Sequence, residues 1–92
     1  MSNADRIERI RIALQQSLAP QHLDIQDDSH LHAGHAGARD GRGHFTVSVV
    51  SDAFQGMSPI ARHRAVYTAL GSMMDTDIHA LSIQARTLAE AG

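Results

Sequence analysis

Apolar residues recur at helical spacing near the N-terminus of the chain: Ile7, Ile10, Leu14 and Leu18. The residues from Ser2 to Asp5 have the spacing of a capping box, and the nearby arginines lie largely off the apolar stripe. This pattern predicts a helix over residues 3–18 that buries one face. Pro20 follows the end of the stripe, which is a common position for proline after a helix.

Three short segments alternate between apolar and polar residues, the pattern of a strand with one buried face. They cover residues 22–26, 44–49 and 78–84. In the third segment, the alternation predicts that His79, at the very beginning of the strand, shares a face with the apolar residues.

A second helix is predicted to begin at Ser58 and Pro59. The serine is a good cap, and proline at the first helical position lacks only an N–H that would be unpaired anyway. The helix is predicted to end at about Met74. Its expected buried stripe comprises Ile60, Val66, Tyr67, Leu70, Met73 and Met74. At about 100° per residue, His63 projects into the middle of this stripe and Arg62 and Arg64 flank it. We therefore expect His63 to face inward or into a cleft.

Residues 29–43 contain four glycines among small and polar residues and show no periodicity, so we expect a mobile surface loop. A weak final helix from Thr87 completes the order helix, strand, strand, helix, strand, helix. A strand–helix–strand unit normally makes two parallel strands, whereas the first two strands are expected to pair antiparallel. The chain is thus predicted to be a single α+β domain over residues 1–92, with a three-stranded mixed sheet and helices packed on one face.

Composition limits what the chain can do alone. At 92 residues and 42% hydrophobic content, it suits one modest core, and no apolar run approaches the roughly 20 residues that span a bilayer. We therefore expect a cytoplasmic or similar soluble location. Cysteine is absent, which excludes a disulfide and a self-sufficient thiolate site. Lysine is absent too, and no serine–histidine–acid set can be singled out, so an enzyme is the least supported class.

The seven histidines are the unusual feature of the composition. Neutral imidazole binds iron, zinc and copper, and its unperturbed pKa is about 6.5. A lone loop histidine is more often exposed and without a role, but His30, His32 and His35 together could bind zinc. The alternation of the second strand places His44 away from the core, so we expect exposure or a loop contact there. His63 is more often a hydrogen-bonded core or cleft histidine than a ligand.

Three separated blocks of the chain resemble the BolA family in residue type, spacing and order. The longest, residues 54–67, reads FQGMSPIARHRAVY; residues 43–52 read GHFTVSVVSD and residues 78–83 read IHALSI. Agreement across several blocks is more specific than one short motif, and the resemblance covers nearly the whole chain. It implies a class II KH-like fold and a role in iron–sulfur cluster trafficking or iron regulation.

The resemblance also implies a [2Fe–2S] cluster shared with a monothiol glutaredoxin, which contributes one cysteine and glutathione. His79 matches the family's ligand at the start of the third strand. The second family ligand is a histidine or cysteine in the loop between the first two strands; alignment puts it at His32, while His30 and His35 keep that assignment open. Two histidines can replace two of a cluster's four thiolates, so the isolated chain, expected to be monomeric, is expected to hold no cluster.

DNA binding is the alternative, because some BolA relatives are described as transcriptional regulators. Arg62 and Arg64 form the strongest local basic cluster, and arginine is a good bidentate donor to phosphate. The same arginines could instead contact a partner's surface or the carboxylates of glutathione. A net charge of −2 and only three aromatic residues weigh against nucleic acid. Residues 34–37 fit the G-x-x-G clamp of KH domains, but they fall between two predicted strands instead of two helices.

Overall fold

The structure, a computed structural model, describes residues 2–29 and 43–91. Its elements in chain order are α1 (Asn3–Leu18), β1 (His22–Asp27), β2 (Gly43–Val50), a 3₁₀ turn (Asp52–Phe54), α2 (Pro59–Leu70), α3 (Met73–Thr76), β3 (Ile78–Arg86) and α4 (Leu88–Ala91). The predicted α+β fold is confirmed. Within these described ranges, no helix is both long and apolar enough to cross a membrane.

Helix α1 begins where the sequence predicts. Ser2 is its cap, and the Ser2 hydroxyl accepts a hydrogen bond from the backbone N–H of Asp5 at 3.2 Å. The helix ends at Ala19, which adopts the left-handed conformation with φ 42° and donates its N–H to the carbonyl of Gln15. A residue in this conformation just after a helix closes the last turn by such a bond.

The three strands form one mixed sheet in the order β1-β2-β3. Strand β1 pairs antiparallel with β2, and β2 pairs parallel with β3, as predicted. One face of the sheet carries the core, whose fully or nearly fully buried apolar side chains are Ile10, Leu14, Leu18, Phe45, Val47, Val49, Phe54, Val66, Leu70, Met73 and Ile78. The other face is mostly polar, and β1 and β3 expose His22, Asp24, Gln26, Ser82 and Gln84 there.

The second helical region departs from the prediction in two ways. It is divided in two, because Gly71 has a φ of +57° and ends α2 before α3 begins. The buried face is also rotated from the predicted stripe, since Ile60 is 65% exposed and Tyr67 is 40% exposed. Val66 and Leu70 are the buried apolar residues of α2.

Candidate functional site

An irregularity in the sheet determines where His79 points. Gly43 of β2 pairs with Ile78, whereas the next residue, His44, pairs with Ala80, so His79 is an extra residue in β3. A bulge of this kind bends the strand locally and redirects a side chain. His79 is exposed, whereas Leu81 is partly buried in the core. The prediction that His79 shares the face of the apolar residues is therefore wrong at this one position.

His44 lies beside His79. The two ring centroids are 5.1 Å apart and the ring planes are tilted by 52°. His44 is only 6% exposed, so the first of its two expected positions, exposure, is wrong. The alternative, a contact with the loop, lies outside the described residues, and the side chain occupies the sheet face away from the core as expected. Its backbone N–H donates to Ser29 Oγ at 3.0 Å, and its carbonyl accepts from the N–H of Asp28 at 2.8 Å. The sequence does not predict the contact between His44 and His79, because the bulge that brings the two rings together does not change the apolar–polar alternation.

The Asp77 side chain anchors the beginning of β3 to helix α1. Its carboxylate accepts from Arg9 Nη1 at 2.9 Å, from Arg6 Nε at 3.4 Å and from Thr76 Oγ1 at 2.9 Å. Burial raises the pKa of Asp77, but the hydrogen bonds from Thr76 and Arg6 and the charges of both arginines outweigh that effect and lower it. The Asp77 carbonyl accepts from the N–H of Gly43 at 2.9 Å, which ties β3 to the start of β2.

Asn3 extends this network from α1 to the end of β1. Its amide Nδ2 donates to Asp27 Oδ2 and to Ser29 Oγ, both at 3.1 Å. Its Oδ1 accepts from Arg6 Nη1 at 3.0 Å. At Gly43 a Cβ atom would overlap the Phe45 ring, so glycine is required there by packing. The first turns of α1 thus hold both ends of the connection between β1 and β2.

Residues 30–42 lie outside the described residues, and with them the predicted ligand His32 and its alternatives His30 and His35. Of the described residues on either side, Ser29 accepts a hydrogen bond from the backbone N–H of His44, and Gly43 precedes His44 and pairs with Ile78, the residue before His79. Among residues 2–29 and 43–91, no three histidine, cysteine or acidic side chains converge on a point where they could hold a metal ion.

The basic cluster of α2 does not act as one surface. Arg62 makes two short contacts with the Glu90 carboxylate, at 2.6 and 3.2 Å, and also donates to the carbonyls of Met57 and Ala85, both at 3.1 Å. The Arg62 side chain is 14% exposed and ties α2 to β3 and α4. Arg64 is exposed and makes no ion pair within the described part of the chain.

The Arg62 hydrogen bond, followed by the N–H of Thr87, lowers the pKa of Glu90 to about 2. The Glu90 carboxylate also caps α4, because it accepts from the backbone N–H of Thr87 at 2.7 Å. Arg62 and Glu90 therefore form a structural clamp at the far end of β3. Because the two residues are 28 positions apart, no local pattern predicts this pair.

His63 is exposed, so the expectation of an inward or cleft position is wrong. It lies on the outer side of α2, which also carries exposed Ile60, Arg64 and Tyr67. His63 and Arg64 each lie three or four residues from both Ile60 and Tyr67, so the four side chains form one stripe along the helix. Neither His63 nor Arg64 belongs to the group of residues around His79.

The chain matches known proteins over most of its length. A family model described as BolA-like protein matches residues 14–90. SufE-like protein 1, chloroplastic/mitochondrial, of Arabidopsis thaliana is 47% identical over 87 residues, which cover 89% of this chain and 24% of that protein. Protein BOLA1, chloroplastic, of the same plant is 46% identical over 90 residues, covering 95% and 56%. The chain thus spans about a quarter of the first relative and little more than half of the second.

Solved structures share the fold. The BolA domain of SufE1 from Arabidopsis thaliana has a TM-score of 0.82 at 45% identity, covering 92% of this chain and 94% of that one. BolA1 from Arabidopsis thaliana has a TM-score of 0.81 at 41% identity, covering 95% and 96%. The likeness therefore extends through the whole arrangement of helices and strands that surrounds His79.

Proposed function

Because the chain belongs to the BolA-like protein family, we propose that it binds a monothiol glutaredoxin and that the two proteins together ligate one [2Fe–2S] cluster. Its ligands are His79 and His32, and its role is in iron–sulfur cluster trafficking or iron regulation. The cluster is cargo held between two proteins. The family resemblance on which this proposal builds is confirmed; the partner, the cluster and the ligands are the proposal.

The observation that carries the proposal is the exposed imidazole of His79 at the bulge. Strand β3 lies at the edge of the sheet and His79 is exposed, so a second protein can approach its imidazole. Imidazole suits iron, and two imidazoles can replace two thiolates on one iron of a cluster. The chain contains no cysteine, so the other iron must take its thiolates from the glutaredoxin and its glutathione.

His32 is supported as the second ligand because only a short segment of chain joins it to Ser29. It follows Ser29 by three residues, so its Cα can lie at most about 11 Å from that of Ser29. Ser29 is itself held by Asn3 and by the backbone of His44. Ordering each additional loop residue costs roughly 1–2 kcal/mol of backbone entropy, which favours His32 over the more distant His35.

Reconstitution tests the proposal. Iron and sulfide are added to this protein, to a monothiol glutaredoxin with glutathione, and to both together, and each sample is followed by visible circular dichroism and native mass spectrometry. We expect a heterodimer with one [2Fe–2S] cluster and a spectrum different from that of the glutaredoxin alone. A stable cluster on this protein alone, or an unchanged glutaredoxin spectrum and mass, would contradict the proposal.

Two sets of variants identify the ligands in that complex. His79→Ala should lose the altered spectrum, while His22→Ala, an exposed histidine on β1, should keep it. Of the three loop variants His30→Ala, His32→Ala and His35→Ala, only the second should lose it. Retention of the spectrum by His32→Ala together with its loss in either neighbour would move the assignment to that neighbour.

DNA binding is less well supported than it was from the sequence, because Arg62 is committed to Glu90 and to two carbonyls. Arg64 is then the one arginine of α2 whose guanidinium is exposed. A titration of duplex DNA at several salt concentrations checks this hypothesis, and loss of one phosphate contact in Arg64→Ala should lower the salt slope by about one. No binding near physiological salt would remove it.

A further inference from the structure

His44 is a buried histidine with a fixed backbone on both sides. Toward β1, its N–H donates to Ser29 Oγ and its carbonyl accepts from Asp28, whose carboxylate accepts from the hydroxyl of Thr46. Toward β3, it pairs with Ala80. A residue that is only 6% exposed and has such a backbone has little freedom to move. His44 therefore provides a rigid surface at the end of the sheet.

His79 is the opposite case. It is the extra residue of a bulge in an edge strand, and its side chain is exposed. An exposed side chain samples several rotamers, and holding it in one of them for a ligand costs entropy. Among the described residues, its ring packs beside that of His44, with the centroids 5.1 Å apart and the planes tilted, a geometry typical of packed aromatic rings.

We infer that His44 is a positioning residue, whose buried ring holds the His79 imidazole in the orientation that binds a metal centre. This inference rests on the proposed function for the identity of the cargo. The ring of His44 acts by packing, so a phenyl ring of similar size and shape should replace it. Loss of a group that orients a metal ligand typically weakens metal binding by about 10- to 100-fold.

The test uses His44→Ala and His44→Phe, with His22→Ala as the control, in the complex with a monothiol glutaredoxin, glutathione and the cluster. The measurements are the visible circular dichroism spectrum and the rate of cluster loss to a chelator. We expect His44→Ala to change the spectrum and to lose the cluster about 10- to 100-fold faster. His44→Phe and His22→Ala should stay close to the unmodified protein.

Two outcomes overturn the inference. If His44→Phe loses the cluster as fast as His44→Ala, then His44 acts through its ring nitrogens and not by packing. If His44→Ala matches the unmodified protein, then His44 does not position His79. Thermal unfolding of each variant, and its binding to the apo glutaredoxin, separate these effects from a loss of fold.

A measurement on the isolated protein keeps the inference distinct from the proposed function. NMR should detect nuclear Overhauser contacts between the two imidazole rings and a single preferred rotamer of His79, and His44→Ala should release that rotamer. Absence of the contacts in the unmodified protein, or an unchanged His79 rotamer in His44→Ala, overturns the inference. If the contacts are present while the glutaredoxin spectrum never changes, the proposed function fails and the positioning of His79 stands.

Discussion

Both ends of β3 are held by an arginine–carboxylate pair, and the two pairs differ in their surroundings. At the beginning of the strand, the Asp77 carboxylate is nearly buried and is shared by Arg6 and Arg9. After its end, the Glu90 carboxylate is about half exposed and, among the described residues, pairs with one arginine, Arg62. The same chemical pair is thus a buried anchor beside His79 and a surface clamp far from it.

The difference matters because the cost of breaking a charge pair depends on burial. Removal of one partner from a buried pair leaves the other charge uncompensated, whereas water solvates the remaining charge at the surface. The end of β3 that carries the proposed ligand is therefore the end with the stronger attachment. Variants that weaken each pair in turn test whether the two ends of β3 differ in this way.

The largest effect is expected from Asp77→Asn, which removes the charge but keeps the size. It leaves Arg6, itself nearly buried, without its carboxylate, and we expect a loss of about 3 kcal/mol in the free energy of unfolding. Urea denaturation measures it, with exposed Asp24→Asn as a control that should change stability by less than about 0.5 kcal/mol. Equal effects of Asp77→Asn and Glu90→Gln would show that the two ends do not differ as described.

A smaller effect is expected from Arg9→Ala, matched with Arg11→Ala on the same helix. Arg9 is partly exposed and contacts the buried Asp77 carboxylate at 2.9 Å, so we expect a loss of about 1.5 kcal/mol. Arg11 is similarly exposed, and its one ion pair with another described residue is with Glu8, at 3.7 Å, so its loss should cost less than about 0.5 kcal/mol. If the two variants unfold at the same urea concentration, Arg9 does not contribute to the anchor.

Asn3→Ala should act locally. It removes the bonds to Asp27, Ser29 and Arg6, which we expect to cost about 1 kcal/mol in total stability. Amide hydrogen exchange should accelerate at His44, whose N–H donates to Ser29 Oγ. The amides of α2 serve as the internal control, and a uniform acceleration across both regions would argue against a local role.

The smallest effect is expected at the surface clamp and depends on pH. The pKa of Glu90 is lowered from 4.5 to about 2, so its contribution to stability is complete above pH 4.5 and is lost as the pH falls toward about 2. Glu90→Gln should therefore be slightly less stable than the unmodified protein above pH 4.5, and the difference should shrink as the pH falls through that window toward about 2. Identical stability profiles for Glu90→Gln and the unmodified protein between pH 4.5 and 2 would show that the clamp does not contribute.

Short-range patterns in the sequence are enough to predict where most helices and strands lie and much of the candidate chemistry. Helix starts at Ser2 and Ser58, the alternation in β2 and the antiparallel and parallel pairing all follow from short-range patterns, and they are confirmed. The position of His79 at the beginning of β3 was also predictable. These features depend on residues that are near one another in the chain, where local propensity and periodicity apply.

Which side chains contact one another depends on the tertiary structure. Helical spacing allowed more than one packed face on α2, and contact with the rest of the core selected the face with Val66 and Leu70. Asp77 lies 71 positions from Arg6, and His79 reaches His44 through a single extra residue in the sheet. Such contacts depend on how distant segments pack and on one-residue register shifts, and neither leaves a periodic signal in the sequence.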